Sequence, residues 1–250
     1  MKYLKLTLLS FFVATALNSA LAAQLTLNPV ADTYTRSGHN AGTDPILNIY
    51  GSGSGDFMAY LRFDLSALPA GATINSADFT VYYESASRSD TITAGRFGNF
   101  GLLDVAGNTP QNWDELTLAE GNTGQEYGGT YASLTAGVTS GWLYNLDADN
   151  GANVTETIGA STAGAPQSLS GPDLVSFLNT QVADGGLATI ISAINAENGR
   201  GYGYASKDNA DSSVWPTLTI NYTPVPEPST LAFFGLALTG FFARRRFGKR

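Results

Sequence analysis

The sequence predicts an all-β protein, a jelly-roll-like β-sandwich with one short helix, on three observations. Between Leu25 and Tyr222, short runs rich in Val, Ile, Thr, Tyr and Phe are separated by Gly, Asn, Asp, Ser and Pro, the punctuation of strands and turns. Several runs alternate with the two-residue period of a strand: in Met58-Ala59-Tyr60-Leu61-Arg62-Phe63, one face carries Ala59, Leu61 and Phe63. Only one segment has good helical character, and no internal repeat of useful period appears, which disfavours a repeat array.

Residues 1–23 read as a secretory signal peptide. Lys2 and Lys5 precede an apolar run from Leu6 to Leu17, and Ala20-Leu21-Ala22 has the small-x-small pattern that signal peptidase accepts, placing cleavage near Ala22 or Ala23. Residues 24–224 form the domain. Strands are expected at Ile46 to Tyr50, Met58 to Phe63, Asp78 to Tyr83, Thr91 to Phe97, Leu187 to Ile194, Arg200 to Ala205 and Thr217 to Tyr222. The stretch from Gly98 to Ala165 is rich in Gly, Asn and Ser with isolated aromatics, and reads as long loops of the kind that carry function. The helix is expected over Pro172 to Val182. Proline stands near its start, Leu174, Val175, Phe177, Leu178 and Val182 cluster at helical spacing, and Asp184-Gly185-Gly186 ends it. It is expected to plug one end of the sandwich.

The chain closes with Val225-Pro226-Glu227-Pro228-Ser229-Thr230, an apolar stretch from Leu231 to Ala243, and Arg244-Arg245-Arg246. The apolar stretch has 13 residues, fewer than the ~20 of an ordinary spanning helix. With its uncharged flank and snorkelling arginines it makes a minimal transmembrane helix, oriented by the positive cluster. Residues 225–250 are therefore a terminal segment separate from the domain.

Composition excludes several chemistries. With no cysteine there is no disulfide framework and no thiolate metal site. His39 is the only imidazole, and it lies in the turn-rich Ser37-Gly38-His39-Asn40-Ala41-Gly42, without the convergent partners that a catalytic base needs. Residues 24–224 hold 6 of the 13 basic residues and 20 of the 21 acidic ones, a formal charge of −14. Such a domain repels nucleic acid and anionic lipid.

The terminal Val-Pro-Glu-Pro-Ser-Thr motif, short apolar helix and Arg-rich end resemble the PEP-CTERM sorting signal of exopolysaccharide-producing Gram-negative bacteria. The resemblance implies that an inner-membrane exosortase recognises Pro226, Glu227 and Pro228, removes the helix and releases or attaches the protein outside. By it, Arg244, Arg245 and Arg246 also belong to the sorting signal. The two prolines hold the motif extended and poor in hydrogen bonds, a form that a membrane peptidase can grip as a strand.

Inside the domain, four groups of residues together resemble the DNRLRE domain, a secreted β-sandwich related to methanogen disaggregatase repeats and to an alginate-binding carbohydrate-binding module family. The first is Ala31-Asp32-Thr33-Tyr34-Thr35-Arg36 with Gly42-Thr43-Asp44-Pro45-Ile46-Leu47. The second is Tyr60-Leu61-Arg62-Phe63-Asp64-Leu65-Ser66-Ala67-Leu68-Pro69, running into Gly71 to Ala77. The third is Trp113-Asp114-Glu115-Leu116-Thr117, and the fourth Tyr204-Ala205-Ser206-Lys207-Asp208. Lys207 and Asp208 stand where the family usually has arginine and glutamate. The resemblance spans nearly all of residues 25–224.

No His-Glu-x-x-His, Gly-x-Ser-x-Gly or phosphate loop is present. Carboxylate pairs such as Asp114/Glu115, Asp147/Asp149 and Glu120/Glu126 leave a polysaccharide-degrading enzyme, hydrolase or lyase, open as the alternative. Calcium binding fits the composition better than catalysis does, because acidic turns supply hard oxygen donors without histidine or cysteine. The candidates are Asp32, Asp44 and Asp64, with Asp147 and Asp149 as a second fragment. Glycan binding would use aromatic rings stacked on sugar faces. The candidates are Trp142, Tyr144, Trp113, Tyr202 and Tyr204, with Trp142 and Tyr144 preferred. The expected protein is thus an exported, exosortase-processed, non-catalytic β-sandwich held at the cell surface or in the extracellular matrix. Its expected partner is extracellular polysaccharide, whether it binds the polymer or acts as a structural adhesive.

Overall fold

The structure, a computed structural model, describes residues 21–35, 41–51, 57–86, 95–103, 111–118, 131–141, 143–146, 163–196 and 200–225. Among these residues the elements follow in the order β1 (Ala23–Leu27), β2 (Ala31–Thr35), β3 (Ile46–Gly51), β4 (Met58–Asp64), β5 (Thr73–Ala86), β6 (Gly95–Leu102), α1 (Tyr131–Ser140), β7 (Leu143–Asn145), β8 (Pro166–Ser170), α2 (Pro172–Ala183), β9 (Leu187–Ala196), β10 (Arg200–Ala205) and β11 (Thr217–Thr223). They build two antiparallel sheets. The first runs β1-β11-β5-β10-β3, with β8 also paired to β5, and the second runs β2-β4-β9-β6-β7. From β1 to β6, successive strands alternate between the sheets. The arrangement is a β-sandwich.

Residue alternation decides what each strand gives to the core. Ala59, Leu61 and Phe63 of β4 and Ala188, Ile190 and Ile194 of β9 meet Leu47 and Ile49 of β3, Phe79 and Val81 of β5, and Leu218 and Ile220 of β11 in one buried cluster between the sheets. The other face of the second sheet is buried as well. Met58, Tyr60, Phe100, Leu102, Ile191 and Ala193 form a second cluster with Trp113, Leu118 and Leu134. The expected division of faces in β4 therefore holds, but both faces are covered over most of the strand, with only Arg62 and Asp64 half-buried, which explains why β4 is apolar almost throughout. Among the described residues the outward side chains of β1 are exposed, and β11 shows an alternation of buried Leu218 and Ile220 with half-buried Thr217, Thr219 and Asn221.

Helix α2 forms where expected. Pro172 stands in its first turn, and beyond its end the backbone amide of Gly186 donates to the Gln181 carbonyl (2.8 Å) with Gly185 and Gly186 at positive φ, a geometry that disfavours any residue with a Cβ. Leu174, Phe177 and Leu178 enter the main core, and Asn179 holds the start of β5 by bonding both the amide and the carbonyl of Ile74 (3.1 and 3.2 Å). Phe177 also lies against Gly101 of β6, where an added Cβ would sit 2.5 Å from the ring. The helix thus bridges the two sheets.

A second helix, α1, corrects the expectation of one helix and of loops throughout residues 98–165. Its sequence, Tyr-Ala-Ser-Leu-Thr-Ala-Gly-Val-Thr-Ser, contains β-branched residues and a glycine that weaken intrinsic helicity. Burial of Leu134 with Val138 packed beside it compensates. Strand β7 also lies in that stretch, β8 begins directly after it, and β6 includes the stretch's first residue, Gly98. Strand β5 runs to 14 residues because it pairs with three partners, β11, β8 and β10.

The chain divides into two units, Ala22–Pro224 on one hand and Met1–Leu21 with Val225–Arg250 on the other. Every residue of the two buried clusters lies between Ala31 and Ile220, so the first unit carries its own fold. Strand β1 begins at Ala23, paired with Tyr222, so it takes in the last residue of the segment 1–23 expected to be a signal peptide. Apart from Leu21 and Val225, the second unit lies outside the described residues, including the stretch 231–243 expected to span the membrane. Among the described residues no helix is long and apolar enough to cross a membrane.

Candidate functional site

Four family-like segments far apart in sequence converge on one polar node. Strand β2 places Asp32 opposite Leu61 of β4, and the aspartate is 1% exposed. Its backbone amide donates to Glu115 Oε2 (3.1 Å), and its Oδ2 accepts from the backbone amide of Lys207 (2.7 Å). The Lys207 ammonium then lies 3.2 Å from Glu115 Oε2 and 2.8 Å from Asp208 Oδ2. Ser206 ties in the β2–β3 connection, donating its hydroxyl to the Asp44 carbonyl (2.7 Å), while the Tyr34 hydroxyl donates to Asp44 Oδ2 (3.1 Å). On the other side of β4, the Arg62 guanidinium lies 4.9 Å from the centre of the Trp113 ring and donates to the carbonyls of Gln111 and Trp113. Trp113 Nε1 completes the link by donating to Thr189 of β9 (3.0 Å).

Burial sets the protonation of this node. It pushes the Asp32 carboxyl up to about 7, outweighing the hydrogen bond from the Lys207 amide and the nearby ammonium. Burial also lowers Arg62 from its ordinary value against the opposing pull of Glu115 and Asp114. For Lys207, burial works against the charged form, but bonds to Asp208 and Glu115 prevail and hold it above the usual lysine value. Hydrogen bonds and ion pairs tie these groups to neighbours on separate elements, so the node is a fastening between sheets and loops.

The sequence-derived candidates separate here. Asp32 and Asp44 share the Ser206-Lys207 neighbourhood, but Asp64 is elsewhere, opposite Leu187 at the end of β4, where its Oδ1 caps a turn through Ser66 N (2.8 Å). The three aspartates do not form one calcium centre, and no metal-holding group of three or more His, Cys, Asp or Glu occurs among the described residues. Asp114 likewise caps a turn through Leu116 N (2.8 Å). Trp113, Tyr202 and Tyr204 are 5%, 4% and 1% exposed. Their rings pack against Tyr60, Tyr83 and one another, Tyr202 and Tyr204 from inward positions of β10 and Trp113 from a loop over the second sheet, and none presents a face to a sugar. Tyr144 is half-buried with its ring tilted on Phe177 at 6.3 Å. Trp142, His39, Glu120, Glu126, Asp147, Asp149, Pro226, Glu227, Pro228, Arg244, Arg245 and Arg246 lie outside the described residues.

One surface was not singled out from the sequence. On the outer face of the first sheet, Gln24 Nε2 donates to Asn221 Oδ1 (3.2 Å), and the hydroxyls of Thr26 and Thr219 meet at 3.2 Å. Asn221 Nδ2 donates to Ser76 Oγ (3.0 Å), Asn75 Nδ2 to Thr223 Oγ1 (2.8 Å), and Thr80 pairs with Ser168 (2.8 Å). These exposed cross-strand pairs make a ladder of hydroxyls and amides over β1, β11, β5 and β8. Its signal was present as polar residues at every second position, as in Thr217-x-Thr219-x-Asn221-x-Thr223. It became a surface only through strand register.

Two family matches agree with this architecture. The PEP-CTERM protein-sorting motif matches residues 224–246. No curated protein matches the chain. Carbohydrate-binding module family 96 matches residues 23–167, which include β1 to β7 and most of the polar node; β9, β10 and β11, beyond the matched stretch, are joined to it by sheet pairing. The chain therefore belongs to carbohydrate-binding module family 96 and carries a PEP-CTERM sorting signal.

Proposed function

We propose that this protein is a non-catalytic polysaccharide-binding module that is exported, processed by an exosortase after transient anchoring in the inner membrane, and held at the cell surface or in the extracellular polysaccharide. The observation that carries this reading is the family match over more than half of the chain, joined to the sorting motif. The node supports the non-catalytic part, because Asp32, Glu115 and Asp208 all bond Lys207 or the backbone beside it. A glycosidase needs two carboxyls turned toward a sugar bond.

The test is binding of purified residues 23–224 to a panel of neutral and uronic-acid polysaccharides, with parallel assays for new reducing ends and unsaturated sugars. Retention without cleavage is the expected result, and release of sugar ends would replace this reading with a degradative enzyme. Calcium and chelator arms test the expectation of a calcium requirement, and Trp142→Ala tests that ring as a contact.

A further inference from the structure

We infer that the end of the domain at which β11 finishes, built around the β4–β5 turn (Leu65 to Ala72), is a docking surface for the membrane peptidase that grips the Pro-Glu-Pro motif. This rests on the exosortase-processing reading and adds to it a part of the folded domain that the enzyme touches.

Chain reach is the first argument. The last residue of β11, Thr223, pairs with Thr73, the first of β5, and Tyr222 pairs with Ala23 on one side and Ile74 on the other. Asn75 Nδ2 donates to Thr223 Oγ1 (2.8 Å), and Tyr222 packs against the main core. The chain is thus held in the sheet up to Thr223, and only Pro224 and Val225 separate that residue from Pro226. Two extended residues span at most ~7 Å. Pro224 narrows the choice of path further, because its ring fixes its own φ and keeps Thr223 extended. A protein that takes up an extended segment as an added strand lies ~4.8 Å to its side, so an enzyme closed on residues 226–228 meets the end of the sheet as well.

The shape of that end is the second. The β4–β5 turn leads directly into Thr73 and is fixed by its own bonds. The Ser66 amide donates to Asp64 Oδ1 (2.8 Å), the Leu68 amide to the Leu65 carbonyl (2.9 Å), and the Ala72 amide to the Pro69 carbonyl (2.9 Å). The Leu65 amide donates to the Gly186 carbonyl (2.6 Å), which ties the turn to the connection after α2. Leu65, Leu68 and Ala72 are buried, while Ser66, Ala67, Pro69 and Ala70 are exposed. A fixed turn with short outward side chains lets another backbone approach closely and loses little side-chain freedom on contact.

The test follows maturation of the full chain in an exosortase-bearing host by pulse-chase and mass, with the unfolding midpoint measured on residues 23–224 of each variant. Ala67→Arg/Ala70→Arg puts bulk and charge on the turn, and Ser212→Arg, in the short helical turn before β11, is the control at the opposite end of that strand. The expected result is maturation slowed about fivefold or more by the paired arginines, at unchanged midpoint, and at its normal rate in Ser212→Arg. A Gly-Ser spacer inserted between Val225 and Pro226 separates the motif from the turn, and in that background the paired arginines should lose their effect. Should the double variant be destabilised, Ala67→Arg alone decides. Normal maturation of the folded turn variants, or slowing that the spacer leaves undiminished, would overturn the assignment and leave exosortase processing standing. Failure of the unaltered chain to mature in that host would overturn both.

Discussion

The backbone amide of Lys207 donates to the carboxylate of Asp32 at 2.7 Å, joining two residues 175 positions apart. One bond thus ties the turn after β10 to an edge strand of the opposite sheet. Glu115, which bonds the Asp32 amide and the Lys207 ammonium, adds a third segment.

This contact predicts an unusual pH dependence. The folded carboxyl of Asp32 binds its proton more tightly than in the unfolded chain, with a pKa near 7 against 3.8. Its burial penalty is absent below about pH 4, grows as pH rises toward 7 and is constant above, so the folded state loses up to about 4 kcal/mol across that window. Asp32→Asn keeps an acceptor for Lys207 N and should flatten this fall. Denaturant unfolding of both proteins from pH 4 to pH 8 checks it; parallel curves would falsify the assignment to Asp32.

Trp113 is a packing residue, and its removal should act on stability. Trp113→Ala strips the ring from the second core and from Arg62, at a cost of about 3–5 kcal/mol. The expected readout is a melting midpoint lower by roughly 10 °C, with glycan affinity measured well below that midpoint changed by less than about twofold. Selective loss of binding at unchanged midpoint would restore the ring as a sugar platform.

Gly101 and Phe177 should be coupled. Gly101→Ala places a methyl against the Phe177 ring and should destabilise by about 1–3 kcal/mol through overpacking. In Phe177→Leu the same change should cost less, so a double-mutant cycle gives a coupling of about 0.5 kcal/mol or more. Additive costs would show that the two do not share space.

The sorting signal predicts a processing defect without a folding defect. Glu227→Ala in an exosortase-bearing host should leave the protein at its unprocessed mass in the membrane fraction, while the purified domain keeps its melting midpoint. Normal maturation of that variant would remove Glu227 from the recognised motif, which matches residues 224–246.

Six of the seven strands expected from hydrophobic runs appear, because Val, Ile, Tyr and Phe at alternating positions have few other places to go; the strand expected at Thr91 to Phe97 meets β6 only over residues 95–97, and residues 91–94 lie outside the described residues. Strands β1, β2, β7 and β8 were not called from such runs: they are short, and β8 reads Pro-Gln-Ser-Leu-Ser, a turn-like composition made a strand by pairing with β5. Helix α1 was hidden for the same reason, its stability coming from Leu134 buried on the second sheet rather than from propensity.

By itself, then, the sequence determined the ends and the class of this protein. A Pro-Glu-Pro motif before an apolar, Arg-terminated tail is a linear sorting signal, a charged start with an apolar run is expected to be another, and strand alternation is a local property. The tertiary structure alone decided the roles of the motif residues. Asp32 reads as a metal candidate and Trp113 as a sugar candidate, and folding joined them with Arg62 and Lys207 into a largely buried fastening of hydrogen bonds, a ring contact and an ion pair. The polar ladder arose the same way: Thr26 and Thr219 are 193 residues apart, and only register puts their hydroxyls side by side, because burial and pairing depend on what the rest of the chain brings to each position.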